Sequence, residues 1–165
     1  MTLSSEITAM VKEIIATLAS HGQSLVTAES ITAGGLSSAI TTVEGSSQIF
    51  LGGIVAYQDY VKADVLGVDQ KIIDAHTVYS QEVAVAMAKA VREKFASTWA
   101  IATTGVAGPG PSDGVAAGTV WVVIHGPVTQ SLELSLSGGR ESVRNATVAT
   151  AIGSFTRILR ERNSR

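Results

Sequence analysis

The chain has 165 residues, 45% hydrophobic and 16% charged, a composition that favours one globular domain with a substantial core. Its net charge of −2 argues against a general nucleic-acid surface, and no apolar run reaches the length of about 18 residues that a membrane span needs. The N-terminal residues lack the pattern of a signal peptide, so we expect a cytoplasmic protein.

Predicted helices and strands alternate along the chain. In order, the hydrophobic patterns predict a helix around 7–18, a strand over 24–28, a helix over 32–42, a strand over 49–57, short helical pieces over 60–66 and 70–76, a helix over 80–95, strands over 99–103, 118–125 and 130–137, and a helix over 140–160. Gly52-Gly53 predicts a bulge or a close backbone approach, and the alternation in the last strand predicts an edge position. This order indicates a single α/β domain over 1–165, a three-layer α/β/α sandwich with a mixed sheet.

The residue types present restrict the chemistry. Cysteine is absent, which excludes a thiol nucleophile and thiolate metal sites. His21, His76 and His125 have neither metal-ligand spacing nor an obvious place in a serine triad. We therefore expect no metal and no cofactor, and we assign any chemistry to hydroxyl groups, lysine, arginine and carboxylates.

Ser30 follows the first predicted strand and precedes a glycine-containing helix start. Backbone N–H groups at a helix start have no partner within the helix, and such donors stabilise the oxyanion that forms when a hydroxyl attacks an amide. The sequence therefore makes Ser30 a candidate nucleophile. The alternative is that Ser30 only caps the next helix.

A second group of candidates flanks the strand over 49–57. Ser46 and Ser47 precede this strand, Tyr57 ends it and Lys62 follows five residues later. Lys62 can act as a general base only if its pKa falls from about 10.4 to roughly 7–8, which requires burial and corresponds to about 4 kcal/mol. The alternatives are two turn serines and a solvated lysine.

Two further segments have features of ligand-binding sites. Thr104, Gly105 and Gly108 belong to a glycine-rich loop whose exposed amides suit a phosphate, a ribose or a flat ring; the alternative is a flexible connection. Arg140 and Arg144 stand one turn apart at the start of the last helix, where they form a candidate phosphate clamp or two ordinary exposed arginines.

The order and spacing of these motifs resemble the C-terminal domain of the competence/damage-inducible protein CinA, a family that contains nicotinamide-nucleotide amidohydrolases. The resemblance spans nearly the whole chain and rests on these segments: Thr27-Ala28-Glu29-Ser30, Gly34-Gly35, Gly45-Ser46-Ser47, Tyr57, Lys62, Thr104-Gly105-Val106-Ala107-Gly108-Pro109, Gly118-Thr119-Val120-Trp121 and Gly138-Gly139-Arg140 with Val143-Arg144. Two departures stand out. The family usually has Cys-Thr-Gly-Gly where this chain has Ile31-Thr32-Ala33-Gly34, and proline is common where it has Val115-Ala116-Ala117.

The resemblance implies a metal-free deamidase that converts nicotinamide mononucleotide to nicotinic acid mononucleotide and ammonia. By position, Ser30 is the implied nucleophile, Ser47 a proton relay or competing nucleophile, Lys62 the base and Tyr57 its partner. Substrate binding is implied for these residues: Thr32, Gly34, Thr104, Gly105, Gly108, Arg140 and Arg144.

Other functions compete with this one. A non-catalytic nucleotide-binding or sensing module of the same fold is the main alternative, motivated by the changed residues Ile31 and Ala33. A role in DNA uptake or repair rests on the family's name alone, and the acidic balance disfavours DNA contact. As partners we expect a small-molecule substrate, no nucleic acid and no membrane, and we expect a homo-oligomer.

Overall fold

The computed structural model describes residues 3–164, and its framework is one mixed five-stranded sheet. The strands are β1 (Leu25–Glu29), β2 (Phe50–Val55), β3 (Trp99–Gly105), β4 (Thr119–His125) and β5 (Thr129–Ser135), in the order β2-β1-β3-β4-β5. β1 runs parallel to β2 and β3, whereas β3, β4 and β5 pair antiparallel. The predicted mixed sheet is confirmed, and β5 lies at an edge as its alternating pattern predicts.

Helices cover both faces of the sheet. They are α1 (Ser5–Ser20), α2 (Gly35–Thr41), α3 (Gln70–Ala75), α4 (Gln81–Phe95) and α5 (Arg140–Asn163), with a 3₁₀ turn over Ser46–Gln48 and a π-helical turn over Val61–Leu66. The side chains of β3 alternate between two cores: Trp99 and Ile101 pack with α1, α2 and α5, and Ala100 and Ala102 pack with α4. This arrangement is the predicted α/β/α sandwich.

The Gly52-Gly53 pair marks both predicted features of β2. The pairing register with β1 shifts between Leu25 and Val26, whose partners are Phe50 and Gly52. A Cβ atom at Gly53 would lie 2.1 Å from Thr27 Oγ1, so only glycine fits beside β1 here. The predicted bulge and close approach are therefore confirmed.

Helix α2 starts three residues later than the sequence pattern predicts. It begins at Gly35 rather than at residue 32, because Ala33 and Gly34 adopt left-handed backbone angles with φ of 47° and 90°. A helix cannot propagate through such residues. The segment between Ser30 and α2 is consequently a tight turn at the carboxyl end of β1.

Within residues 3–164, no helix is both long enough and apolar enough to cross a membrane. In the same part of the chain, no group of three or more histidine and acidic side chains is arranged to hold a metal ion.

The left-handed angle at Ala33 leads to a stability prediction. A left-handed alanine costs about 1–2 kcal/mol, and glycine removes this cost. Glycine also gives the unfolded chain more conformational entropy, which offsets part of the gain, so we expect Ala33→Gly to stabilise the protein by about 0.5–1 kcal/mol. Thermal unfolding should show a rise in Tm of about 1–4 °C. Ala96, also exposed and with φ of 50° at the end of α4, is the matched control. A rise for Ala96→Gly without one for Ala33→Gly would contradict strain at Ala33.

Candidate active site

A polar cavity of about 500 Å³ opens at the edge of the sheet where the carboxyl ends of β1 and β3 meet. Ligands of open α/β sheets commonly bind at this edge. Its wall combines the turn after β1, the segment after β2, the loop after β3 and the start of α5. The lining residues that matter below are Ser30, Tyr57, Asp59, Tyr79, Gly108 and Arg140.

Ser30 lies at the end of β1 and is almost buried, with 5% of its surface exposed. Its backbone N–H donates to the carbonyl of Thr103 at 2.9 Å, which extends the β1–β3 pairing by one residue. In the part of the chain that the structure describes, the backbone N–H groups of Ile31 and Thr32 donate to no protein acceptor. Ser30 and Ile31 both line the cavity, so a hydroxyl and one unpaired amide occur together, whereas Thr32 lines the second cavity described below.

The Glu29 carboxylate accepts hydrogen bonds from backbone N–H groups at the start of α2, which the sequence pattern predicted to be free. Its side chain is fully buried. Oε2 accepts from Thr32 Oγ1 at 2.7 Å, from the Gly34 N–H at 2.9 Å and from the Leu36 N–H at 3.0 Å. Oε1 accepts from the N–H of Ser37 at 2.8 Å and from its hydroxyl. The expectation of unpaired amides is therefore wrong for the helix start itself and holds only for the turn before it.

Lys62 lies in the π-helical turn after β2, and only 1% of its side chain is exposed. Its Nζ donates to the Tyr57 carbonyl at 3.5 Å and lies 3.6 Å from Asp59 Oδ1. Burial lowers the pKa of Lys62 from its ordinary value, and the nearby Asp59 carboxylate opposes this shift only in part. Both contacts are residues of the cavity wall, so the amine lies directly behind that wall.

Tyr57 contacts Lys62 through its backbone rather than through its ring. The phenol oxygen instead accepts a hydrogen bond from Arg140, and about half of the side chain is exposed. The expectation that the Tyr57 hydroxyl partners the lysine amine is not met in this arrangement. The hydroxyl faces the cavity mouth, where a ligand could contact it.

Ser47 lies near the amino end of β1, whereas Ser30 lies at its carboxyl end. The Ile49 carbonyl accepts from the N–H of Leu25, so the residues before β2 sit beside the start of β1. The five residues of β1 separate these two ends by about 16 Å, at about 3.3 Å per residue. Ser47 is also exposed, and the structure does not bring it to the cavity that Ser30 lines.

The glycine-rich segment divides into a strand end and a loop. Thr104 and Gly105 belong to β3, and the Thr104 hydroxyl donates to the Val78 carbonyl at 2.7 Å, so this side chain is bound to the protein interior rather than directed to a ligand. A Cβ at Gly105 would lie 2.5 Å from the Thr119 carbonyl oxygen, which requires glycine. Gly105 and Gly108 line the cavity with their backbone, as the sequence suggests.

Arg140 and Arg144 differ in their contacts. Arg140 is exposed, donates to the Gly108 carbonyl at 3.1 Å and lines both this cavity and a second one of about 730 Å³. Arg144 donates to the carbonyls of Ile31 and Thr32 at 3.1 and 3.0 Å, so its guanidinium braces the turn after Ser30. The predicted clamp of two free guanidinium groups is therefore absent from the main cavity, whose described lining includes Arg140 but not Arg144, whereas both arginines line the second cavity.

Thr32 and Gly34 were predicted to bind substrate, and the structure gives both an internal role. The Thr32 hydroxyl contacts Glu29 and Thr103, and the Gly34 N–H donates to Glu29. They line only the second cavity.

Sequence reasoning missed several residues of the site, namely Glu29, Asp59, Tyr79 and Ser112. An acidic residue that ends a strand of otherwise uncharged residues is a usable signal, because glutamate is almost never fully buried without a specific set of partners. The contact between the Tyr79 hydroxyl and Ser112 Oγ, at 2.9 Å, joins residues 33 positions apart and had no signal in the sequence.

The fold and the cavity define an open-sheet α/β protein with a serine, a buried lysine and an arginine grouped at one sheet edge. The model of the CinA C-terminal domain matches residues 7–159, and the chain belongs to this family. The chain is 41% identical over 143 residues to a CinA-like protein of a Synechococcus species, which covers 84% of this chain and 34% of that protein. A CinA-like protein of Mycolicibacterium paratuberculosis is 38% identical over 164 residues, covering 95% of this chain and 38% of its own length. The chain thus spans about a third of these relatives.

Solved structures resemble this chain over nearly their whole length. A competence/damage-inducible protein from Agrobacterium tumefaciens superposes with a TM-score of 0.88 at 31% identity, covering 94% of this chain and 97% of that one. A CinA superfamily protein from Escherichia coli gives a TM-score of 0.89 at 29% identity, covering 96% and 94%. The predicted family resemblance and fold class are confirmed.

Proposed function

We propose that this protein is a deamidase of nicotinamide mononucleotide, which hydrolyses the carboxamide to the acid and ammonia. The substrate follows from the family resemblance, and the observation that carries the proposal is the buried Lys62 amine behind the wall of a cavity that Ser30 lines. Burial opposes the charged form of the amine, and the attraction of Asp59 Oδ1 at 3.6 Å, on a largely exposed side chain, offsets this only in part. This balance shifts the amine toward the neutral form, which a general base requires.

The proposed reaction proceeds in two halves. Lys62 accepts the hydroxyl proton of Ser30 as Oγ bonds to the carboxamide carbon, whose electrophilicity is raised by the attached pyridinium ring. The tetrahedral adduct then breaks its C–N bond, and the lysine returns the proton to the departing nitrogen, which leaves as ammonia. In the second half, water gives a proton to Lys62 as its oxygen bonds to the ester carbon. The bond from that carbon to Ser30 Oγ then breaks, the acid leaves, and Lys62 returns the proton to Oγ.

The oxyanion donor in this scheme is the unpaired amide of Ile31, directly after Ser30. The N–H of Ile31 has no acceptor within residues 3–164, and Ile31 lies on the cavity wall. Backbone donors that are already oriented stabilise a developing oxyanion without reorganisation, and one such donor is worth about 10²–10³ in rate.

Arg140 is the proposed phosphate contact. It is the exposed cation at the cavity, and it is held by Tyr57 and the Gly108 carbonyl. A phosphate is an anion that a guanidinium can bind through two parallel hydrogen bonds, which the neutral phenol and carbonyl do not offer, so a phosphate can displace these partners.

The substitution at Ala33 does not by itself favour the non-catalytic alternative. Ala33 adopts the left-handed angle that glycine adopts readily, and the turn retains its contacts to Glu29 on both sides. A sensing module would bind the nucleotide and release no ammonia, so turnover separates the two functions.

The test compares ammonia release from nicotinamide mononucleotide and from nicotinamide riboside, which lacks the phosphate. We expect turnover of the mononucleotide and at least about 100-fold lower kcat/KM for the riboside, since one phosphate–arginine contact contributes roughly 1.5–3 kcal/mol and orientation adds to it. Arg140→Ala should reduce kcat/KM for the mononucleotide and leave that for the riboside nearly unchanged. Equal rates for the two substrates would contradict the phosphate contact, and binding without ammonia release would favour the sensor.

A further inference from the structure

The carboxylate of Glu29 lies within the turn that carries the proposed nucleophile. It is fully buried, and none of the described residues forms an ion pair with it. Burying an unpaired charge costs far more than burying a hydroxyl. A serine or threonine would cap α2 at lower cost, so helix capping alone does not explain a carboxylate here.

The five hydrogen bonds of Glu29 all come from one short segment. Oε2 accepts one hydrogen bond each from Thr32, Gly34 and Leu36, and Oε1 accepts two from Ser37. The donors span residues 32–37, and this segment follows Ser30 directly. The carboxylate therefore fixes the chain on the far side of the two amides at Ile31 and Thr32.

The turn also needs such a restraint. Ala33 and Gly34 both have left-handed backbone angles, a conformation that an isolated chain seldom adopts at two successive residues. The Thr32 hydroxyl, which contacts Glu29, also contacts Thr103 Oγ1 at 2.8 Å on the neighbouring strand β3. Glu29 thus connects the turn to the sheet as well as to α2.

We infer that Glu29 is a positioning residue, whose buried carboxylate holds the turn over residues 30–37 so that the Ser30 hydroxyl and the unpaired Ile31 amide lie together at the cavity. The inference rests on the proposed function, because it assigns Glu29 to the orientation of the nucleophile of that reaction. Glu29 does not touch the substrate in this scheme. It acts through the segment that it binds.

The test is Glu29→Gln, which keeps the shape of the side chain but replaces one acceptor oxygen by an NH₂ group that faces N–H donors. We expect kcat to fall at least about tenfold while KM changes less than threefold, because misplaced reacting groups lose turnover without losing binding. Amide hydrogen exchange over residues 31–37 should become at least about tenfold faster. Ser37→Ala, which removes a single side-chain donor, should give the same changes at smaller size and provides a test if Glu29→Gln does not fold.

Phe155→Leu is the control for a general loss of stability, since Phe155 packs edge-to-face on Trp99 at the opposite end of β3. It should lower Tm without changing kcat or exchange in the turn. A Glu29→Gln protein with wild-type exchange over 31–37, or with wild-type kcat, overturns the inference.

Labelling of Ser30 by a fluorophosphonate separates this inference from the proposed substrate. Wild-type protein that is labelled but does not deamidate the mononucleotide contradicts the substrate, and slower labelling of Glu29→Gln still supports the inference. Wild-type protein that is neither labelled nor active overturns both.

Discussion

Ser30→Ala is expected to abolish ammonia release while leaving nucleotide binding within about threefold of wild type. Loss of a serine nucleophile costs turnover by at least about 1,000-fold, since the remaining donors and binding contacts retain only a residual rate. The measurement is kcat by ammonia release together with Kd by calorimetry for the same variant. The hydroxyl is small and the site is preformed, so the substitution should not disturb the fold.

Ser47→Ala separates the two serines that the sequence left as candidates. Ser47 is exposed and lies about 16 Å away along β1, so its removal should leave kcat and Kd unchanged. A loss of turnover in Ser47→Ala with full activity in Ser30→Ala would reverse the assignment. Loss of binding in Ser30→Ala would show that this hydroxyl also holds the substrate.

The sequence was sufficient to predict the layers and the strands. The alternation of Leu132, Leu134 and Leu136 predicts a strand, and the spacing of apolar residues in α4 predicts a helix. Both patterns involve residues close together in the sequence, so no knowledge of tertiary contacts is needed. The sequence also allows the prediction that Ser30 and Lys62 lie near one cavity. Each residue follows one of two neighbouring parallel strands, whose carboxyl ends lie at the same end of the sheet.

Contacts between distant segments were not predictable from the same information. The direction in which β2 runs decides that Tyr57 reaches the cavity and Ser47 does not, and the sequence offered both residues equally. Likewise, Arg144 and Thr104 carry suitable groups, but carbonyls of Ile31, Thr32 and Val78 already use them. Only tertiary structure shows which polar groups are left for a ligand.

The role of Glu29 was also not predictable from the sequence, in which it is only one residue of a family motif. That role depends on five hydrogen bonds, which form only when α2 packs back on β1. A helix start usually offers free amides, and this general rule predicted oxyanion donors there. The protein's own carboxylate occupies it, so the free donors shift to the preceding turn.

Lys62→Met is expected to change activity and stability in opposite directions. Methionine matches the length and apolar stem of lysine but has no proton-accepting amine, so turnover should fall by about 10²–10⁴. Because the buried amine has only two long polar contacts, its replacement should raise the free energy of unfolding by about 1–2 kcal/mol. That corresponds to a Tm higher by about 2–8 °C.

The pH dependence of stability gives an independent measure of the same amine. Between the lowered pKa of folded Lys62 and its ordinary value of 10.5, the unfolded chain binds a proton that the folded protein does not. Stability from this group therefore increases as pH rises through that interval and is lost as pH falls. Denaturant unfolding at several pH values should show a steeper rise of stability with pH over this interval in wild type than in Lys62→Met.

Lys71→Met provides the matched control, since Lys71 is exposed on α3. It should leave turnover and the pH slope at their wild-type values. If Lys62→Met lowers Tm and retains turnover, Lys62 is an ordinary structural lysine, and the hydroxyl of Ser30 has no neighbouring base. A stabilised but inactive protein is the expected result, because burying the Lys62 amine costs folding free energy while it serves the proposed chemistry.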